Sequence, residues 1–525
     1  MKKLLLVLSL LVVAKPAEAA PPADLDARIE TLRGQVGATG VAIAIVENGK
    51  TVVAKGFGER RLGNPQKVDA DTIFLTGSTG KAFTSAALAT LVDAGKLSWD
   101  DKVADRLPGF QMYDAFASKE MTVRDLLVHR SGLGLGQGDL MYIPRGKLSR
   151  AEIVRRVRYL RPVTSFRAGY AYDNILYTVA GALTEAVSGQ RWEDYLRDHV
   201  LRPAGMTRST ADPAVRLADS NRAYPHARTG GAVRGTGPLA QLRDDDQVSQ
   251  ASAPAGLVAI SANDMAEWLK VQLGNGARPG GPRVFSEASG KEMWTPHTIE
   301  PIASQPPGFE ALQPNFQTYA LGWEVRDYAG HKIVWHSGGL WGFVSVVVLI
   351  PDKNVGFAIE MNSEDSVIRL GMMYELLDHY LDRPKADWPA KFAALRESRI
   401  EGALKILEAK AAVPAKVGPS LPAARYAGVY RDPWYGDVAI THVSGGLNID
   451  FTTTPRMSGP LEHYQYDTFI TRFADKALEP AYVTFNLDAD GKIERVTMKP
   501  VSPIADFSYD YADLDLRPVG QAAAE

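Results

Sequence analysis

The sequence predicts an α+β fold: an antiparallel sheet flanked by helices with a helical subdomain, followed by an all-β barrel or sandwich. Three observations carry that expectation. Apolar, β-branched runs near residues 41–54 and 333–360 bracket a long stretch of helical periodicity, so pieces distant in sequence must close one sheet. An Ala-, Lys-, Glu- and Pro-rich stretch over 386–419 then breaks the pattern and reads as a helical linker with a Pro-containing spacer. Beyond it, residues 420–518 read as short strands joined by tight turns. A chain of 525 residues is also too long for a single core.

The elements follow in order. Lys2 and Lys3 precede an apolar run, Leu4 to Ala14, and Ala17-Glu18-Ala19 places small residues at a cleavage-like spacing. Residues 1–19 therefore read as a signal peptide too short to span a bilayer, and the mature chain is expected in the periplasm or outside the cell, without stable membrane insertion. The first domain is expected over 20–385. Asp24 to Leu32 is amphipathic, and Asn48-Gly49 between two apolar runs is hairpin chemistry. Helical periodicity marks Ser78 to Ala94, Thr122 to His129, Arg150 to Leu160, Ile175 to Val187, Trp192 to Leu201, Ser261 to Leu273 and Ser366 to Leu381. Residues 225–255 read as a long loop, with Asp244 and its neighbours solvated. Ile333 to Trp335, Val344 to Ile350 and Val355 to Glu360 read as adjacent antiparallel strands. Hairpins are expected at 437–451 and 482–498 in the second domain, and 519–525 form a tail.

Composition excludes several functions. A net charge of -2 offers no attraction to nucleic acid or to an acidic membrane. The chain has no cysteine, which removes disulfides, thiolate nucleophiles and Cys-ligated zinc. His331 and His336 lack an accompanying spaced carboxylate, so no metal is expected. Gly77 to Lys81 lacks the first glycine of a phosphate loop, and Ala82 follows the lysine. No cofactor is implied; the expected partner is a small-molecule or peptide substrate.

Three short motifs carry chemistry. Ser78-Thr79-Gly80-Lys81 sits where a helix should start, and residues three apart share a helix face. A serine needs an adjacent base to become a nucleophile, and a lysine serves if burial or a helix dipole lowers its pKa. A capping serine beside a surface lysine is the bland alternative, and ~2 such matches arise by chance in a chain of this length. In Tyr172-Asp173-Asn174, a phenol beside a lysine can shuttle a proton while the asparagine amide positions lysine and substrate. Its bland alternative is an aromatic beside a helix cap. His336-Ser337-Gly338-Gly339 lies between strands of the expected sheet, where the Gly339 N–H can join the Ser78 N–H in an oxyanion hole. A strand-edge turn explains it as well in isolation. Each of the three patterns occurs once in the chain.

In this order the motifs resemble the serine β-lactamase and penicillin-recognising superfamily, in its class C-like branch; a sister pattern pairs Ser-x-x-Lys with Ser-Asp-Asn and Lys-Thr-Gly. Thr122 to His129 with Ser131-Gly132-Leu133, and Leu321-Gly322-Trp323, extend the likeness, which covers roughly residues 25–385. Residues 420–518 look like the lipocalin-like barrel that trails some peptidases of this family. The resemblance implies that Ser78 is the nucleophile, Lys81 its activating partner and Tyr172 the general acid-base. It makes Asn174 a positioning residue and His336 with Gly338 the third wall. The chain departs from the penicillin-active pattern at His336, where those members usually carry lysine. A permanent cation is thus replaced by a group mostly neutral at pH 7, which predicts weak β-lactam turnover. Relatives with a His-x-Gly wall include esterases and peptidases acting on D-amino-acid peptides, and one group cleaves a linearised cyclic-peptide toxin. The expectation is an exported serine hydrolase acting on amide bonds of small, D-residue-containing or linearised peptides. An esterase is the alternative, followed by a penicillin-binding sensor or β-lactamase. The β domain holds none of the motifs and is expected to fold separately, its rim loops free to shape access to the cleft.

Overall fold

The computed structural model describes residues 20–245, 248–411 and 417–520; the expected leader at 1–19, part of the spacer at 412–416 and the end of the tail lie outside them. Helix α1 (Leu25–Val36) ends at Gly37, whose φ of 70° gives the left-handed stop that glycine adopts without a Cβ clash. Strands β1 (Gly40–Glu47) and β2 (Lys50–Gly58) form the expected hairpin. Asn48 and Gly49 both take positive φ, 49° and 74°, as a tight two-residue turn requires.

The chain then leaves the sheet for a helical layer containing α2 (Lys81–Asp93), α3 (Ile175–Ser188) and α4 (Ala262–Leu273). It returns as β3 (Thr298–Ile299), β4 (Gln317–Tyr319), β5 (Glu324–Tyr328), β6 (His331–Leu340), β7 (Phe343–Ile350) and β8 (Val355–Met361). The sheet order is β2-β1-β8-β7-β6-β5-β4-β3, antiparallel throughout, with β1 locked between its hairpin partner and β8. Helices α5 (Ser366–Tyr380) and α6 (Trp388–Ala411) follow.

Every residue of β1 is buried because both faces are covered. Alternation divides it: Ala42, Ala44 and Val46 face the core under α2 and α4, while Val41, Ile43 and Ile45 face the core under α1 and α5. Each large aliphatic side chain taken fully out of water there contributes about 1.5–3 kcal/mol. In the helical layer Phe83 stacks on Trp268 with centroids 4.3 Å apart, tying α2 to α4.

Local differences from the periodicity have identifiable causes. Thr122 to His129 forms only a 3-10 turn, Arg124–Leu127. The buried Asp125 carboxylate takes the Thr122 N–H at 2.9 Å and also holds Arg130 and Arg167, so side-chain bonding competes with a longer helix. Trp192 to Leu201 starts as an α-helix and ends as a π turn, Arg197–Leu201. The 225–255 segment carries a small hairpin, His226–Arg228 with Leu239–Gln241, and a 3-10 turn, Gln250–Ala255. Asp244 is not solvated: it is buried between Arg216 and Arg222, at 2.5 and 2.9 Å.

The C-terminal unit is a closed barrel of eight strands, β9 (Gly428–Asp432), β10 (Gly436–Val443), β11 (Gly446–Phe451), β12 (Ser458–Gln465), β13 (Thr468–Thr471), β14 (Ala481–Leu487), β15 (Ile493–Pro500) and β16 (Asp515–Pro518). Both expected hairpins lie in it, and β9 pairs with β16 to close it, which leaves no sheet edge. The segment joining β15 to β16 does not stay on the barrel rim. It reaches the helical layer of the first unit, where Asp510 accepts the N–H groups of Gly138 and Leu140 at 2.6 and 3.0 Å. No helix among the described residues is long and apolar enough to cross a membrane.

Candidate active site

Ser78 lies in a 3-10 turn, Gly77–Gly80, that runs straight into α2, so the α-helix begins at Lys81 and not at the serine. Neither residue plays its bland role. The cap position of α2 is Gly80, and Lys81 is wholly buried. Lys81 Nζ lies 3.0 Å from Ser78 Oγ, 2.6 Å from Asn174 Oδ1 and 3.0 Å from the Ala255 carbonyl, so three acceptors surround the amine. Burial drives its pKa down to about 7, while the charges of Asp139 and Asp173 oppose a further fall. Near neutral pH the amine is thus divided between its charged and free-base forms.

Asn174 occupies the cap position of α3, yet its side chain makes no cap bond. Its Nδ2 donates to Asp139 Oδ2 at 2.8 Å, which turns Oδ1 toward Lys81 and settles the amide orientation. Asp173 meets the helix end instead, accepting the Leu176 N–H at 3.4 Å. Burial pushes Asp139 up to about 6, against donors from Tyr142, Asn174 and Ser508. Tyr172 places its ring against His129, centroids 4.2 Å apart, with Lys81 Nζ 4.7 Å from its ring centroid. Its phenol oxygen is shielded, and among the described residues no group meets it in hydrogen-bonding geometry. Burial holds the phenol well above its ordinary pKa and so protonated, the nearby Ser78 hydroxyl pulling more weakly the other way.

The third motif lies on β6, directly against the Ser78 turn. A Cβ at Gly77, whose φ is +59°, would fall 2.6 Å from Gly339 N. A Cβ at Gly338 would collide with Thr76 O and Ser345 Oγ, so this strand can approach the turn only as glycine. Gly339 has open space where a side chain would be. The buried His336 does not face that space freely: Nδ1 lies 2.7 Å from Ser337 O and Nε2 lies 2.7 Å from Tyr319 Oη. Burial and Lys81 bring its pKa down to about 3.

The three motifs thus converge. Tyr319, Asp139 and Ser508 also belong to the site, and motif reading missed them. Tyr319 stands just before Leu321-Gly322-Trp323 and was within reach of that signal, whereas an aspartate in a glycine-rich loop and a serine on a distant domain carry none. Among the described residues there is no cluster of three or more His, Asp and Glu side chains able to hold a metal ion.

Residues 25–378 match the family model described as Beta-lactamase, and residues 412–518 match one described as a domain of unknown function, DUF3471. An unguisins hydrolase of Aspergillus campestris is 29% identical over 418 residues, covering 76% of this chain and 74% of that protein. Penicillin-binding protein 4 of Amycolatopsis lactamdurans is 28% identical over 337 residues, covering 64% of this chain and 84% of that protein. The fold is shared with an octameric penicillin-binding protein homologue from Pyrococcus abyssi, at TM-score 0.58 and 22% identity over 90% of this chain and 97% of that one. It is shared also with SurE, at TM-score 0.53 and 19% identity over 94% and 98%. The closed eight-stranded barrel fits a lipocalin-like domain. With a family match spanning most of the first unit, and hydrolase-named and penicillin-binding relatives on either side, the chain belongs to the beta-lactamase family of serine hydrolases.

Proposed function

We propose that this protein forms an acyl-enzyme at Ser78 and hydrolyses amide bonds of small, D-residue-containing or linearised peptides. The observation that carries the reading is Lys81 Nζ, buried, its pKa lowered by burial to about 7, and 3.0 Å from Ser78 Oγ. The free amine takes the Ser78 proton as Oγ attacks the carbonyl carbon. The resulting oxyanion sits between the N–H groups of Ser78 and Gly339, on two segments whose glycines permit close approach. Tyr172, protonated, gives its proton to the leaving nitrogen and is refilled from the Lys81 ammonium. In the second half a water loses its proton along the same path, attacks the acyl carbon and returns Ser78 to its hydroxyl form.

Substrate class is supported by what borders the serine. The neutral His336 offers no fixed cation to a β-lactam carboxylate. Phe507, whose ring lies 6.0 Å from Tyr172, gives the surroundings apolar surface suited to uncharged side chains. The relative named unguisins hydrolase supports hydrolysis over binding alone. Lys2, Lys3, the Leu4 to Ala14 run and Ala17-Glu18-Ala19 support export.

A panel of L- and D-peptides, small esters and β-lactams, with intact-mass detection of the adduct, tests the reading. Peptide turnover with a transient Ser78 acyl mass supports it. Ester turnover without peptide turnover replaces peptidase by esterase, and a stable adduct without turnover replaces both by a sensor.

A further inference from the structure

The catalytic motifs all lie in the first unit, yet the polar network behind Lys81 ends in the barrel. Lys81 Nζ meets Asn174 Oδ1 at 2.6 Å, Asn174 Nδ2 donates to Asp139 Oδ2 at 2.8 Å, and Ser508 Oγ donates to the same Asp139 oxygen at 2.8 Å. Ser508 and Asp139 are both buried. Asp510, two residues on, accepts the N–H groups on either side of Asp139, from Gly138 and Leu140. The backbone of the same turn is fixed to the motif strand, because Gly136 N donates to the Tyr172 carbonyl at 2.9 Å. Phe507 presses on Gly136 so closely that a Cβ there would lie 2.6 Å from its ring. On the other side Tyr509 stacks on Trp341, centroids 5.9 Å apart and planes 16° apart, at the turn just after Gly339. Four consecutive residues of the second unit thus touch both walls of the site.

We propose that Ser508, delivered by the C-terminal barrel, is a positioning residue of the hydrolytic site that fixes Asp139 and, through it, the Asn174 amide that faces Lys81. The role rests on the reading of Ser78 and Lys81 given above. Its physical basis is the competition at Asp139. A carboxylate buried beside Asp510 and Asp173 resists ionisation, and the donors Tyr142, Asn174 and Ser508 favour the ionised form. Around Lys81 the remaining ionisable neighbours are Tyr172, Tyr177, His129 and His336, the two histidines held neutral by burial. Without the Ser508 donor, Asp139 is less ionised and Asn174 is free to rotate its oxygen away from Nζ. The barrel then belongs to the catalytic apparatus and is not a separable module.

The test is pre-steady-state acylation of the full-length enzyme by a small chromogenic ester, with active sites counted by fluorophosphonate titration. Ser508→Ala should slow acylation about tenfold, the scale of one hydrogen bond to a charged group, while KM changes less than about twofold. Ser508→Thr, which keeps the hydroxyl, should recover most of the rate. In an Asp139→Asn background, Ser508→Ala should cost nothing further, because the two act through one chain of bonds. Acylation within twofold of wild type in Ser508→Ala overturns the proposal. So does a loss that Thr fails to rescue, or one that adds in full to Asp139→Asn, since a purely structural contact behaves in that way. A wild-type enzyme that never acylates at Ser78 instead overturns the functional reading itself, so the two failures are distinguishable.

Discussion

Tyr319 Oη lies 2.7 Å from His336 Nε2, and that contact decides the state of the third motif. Because Nδ1 lies 2.7 Å from a carbonyl oxygen, it must carry the proton; Nε2 is then the acceptor and the phenol the donor. Both ring nitrogens are used, and the imidazole is a neutral, fixed wall.

A neutral wall sets the first expectation. Wild-type enzyme should hydrolyse penicillins and cephalosporins poorly, with kcat/KM below the ~10⁴–10⁸ M⁻¹s⁻¹ of efficient enzymes. His336→Lys should improve β-lactam acylation, lower turnover of the native substrate and strand the Tyr319 phenol. Steady-state kinetics on nitrocefin-type and peptide substrates check both halves. Efficient wild-type cephalosporin turnover would contradict the neutral-wall argument.

Ser78→Ala should abolish hydrolysis and covalent labelling by a fluorophosphonate while the circular dichroism spectrum stays unchanged. Ser78 contributes one hydroxyl at the edge of a 3-10 turn whose conformation Gly77 sets, so its removal leaves the fold unstrained. Peptide mapping of the labelled wild type locates the adduct, and labelling at another serine would refute the assignment.

Lys81→Ala and Tyr172→Phe should each lower kcat by at least ~10²-fold, the usual scale for a general acid or base. The double variant should lose little more than the worse single one, since amine and phenol serve one proton path. A Tyr172→Phe enzyme near wild-type speed would leave that phenol only a packing role against His129.

The pH dependence follows from the free-base requirement. Lys81 must be neutral to accept the Ser78 proton, and its pKa is about 7, so kcat/KM should rise as pH rises through that value. Lys81→Arg, charged at every accessible pH, should be inactive across the range instead of shifted. A flat profile from pH 5 to 9 in the wild type would show that the amine is not the base.

How far the sequence reached can be seen residue by residue. Ser78 and Lys81 were legible because three residues of helical rise bring their side chains together without help from the rest of the chain. Tyr172, Asn174 and the His336 strand were legible as motifs, and the β1 hairpin, α3 and both barrel hairpins were legible from local periodicity and turn chemistry. All of these depend on neighbours a few positions away.

What tertiary structure decided lies between residues that local rules cannot connect. Asp139 reaches Asn174 across 35 positions, Tyr319 on β4 reaches His336 on β6 past the intervening strand β5, and Ser508 reaches Asp139 across 369. The ionisation of Lys81 and the neutrality of His336 arise from burial and from charges brought in by other segments. The sequence by itself therefore determined the candidate groups and much of the secondary structure that carries them. Packing decided their protonation and orientation, because desolvation and hydrogen-bond partners exist only once distant segments have closed around the site.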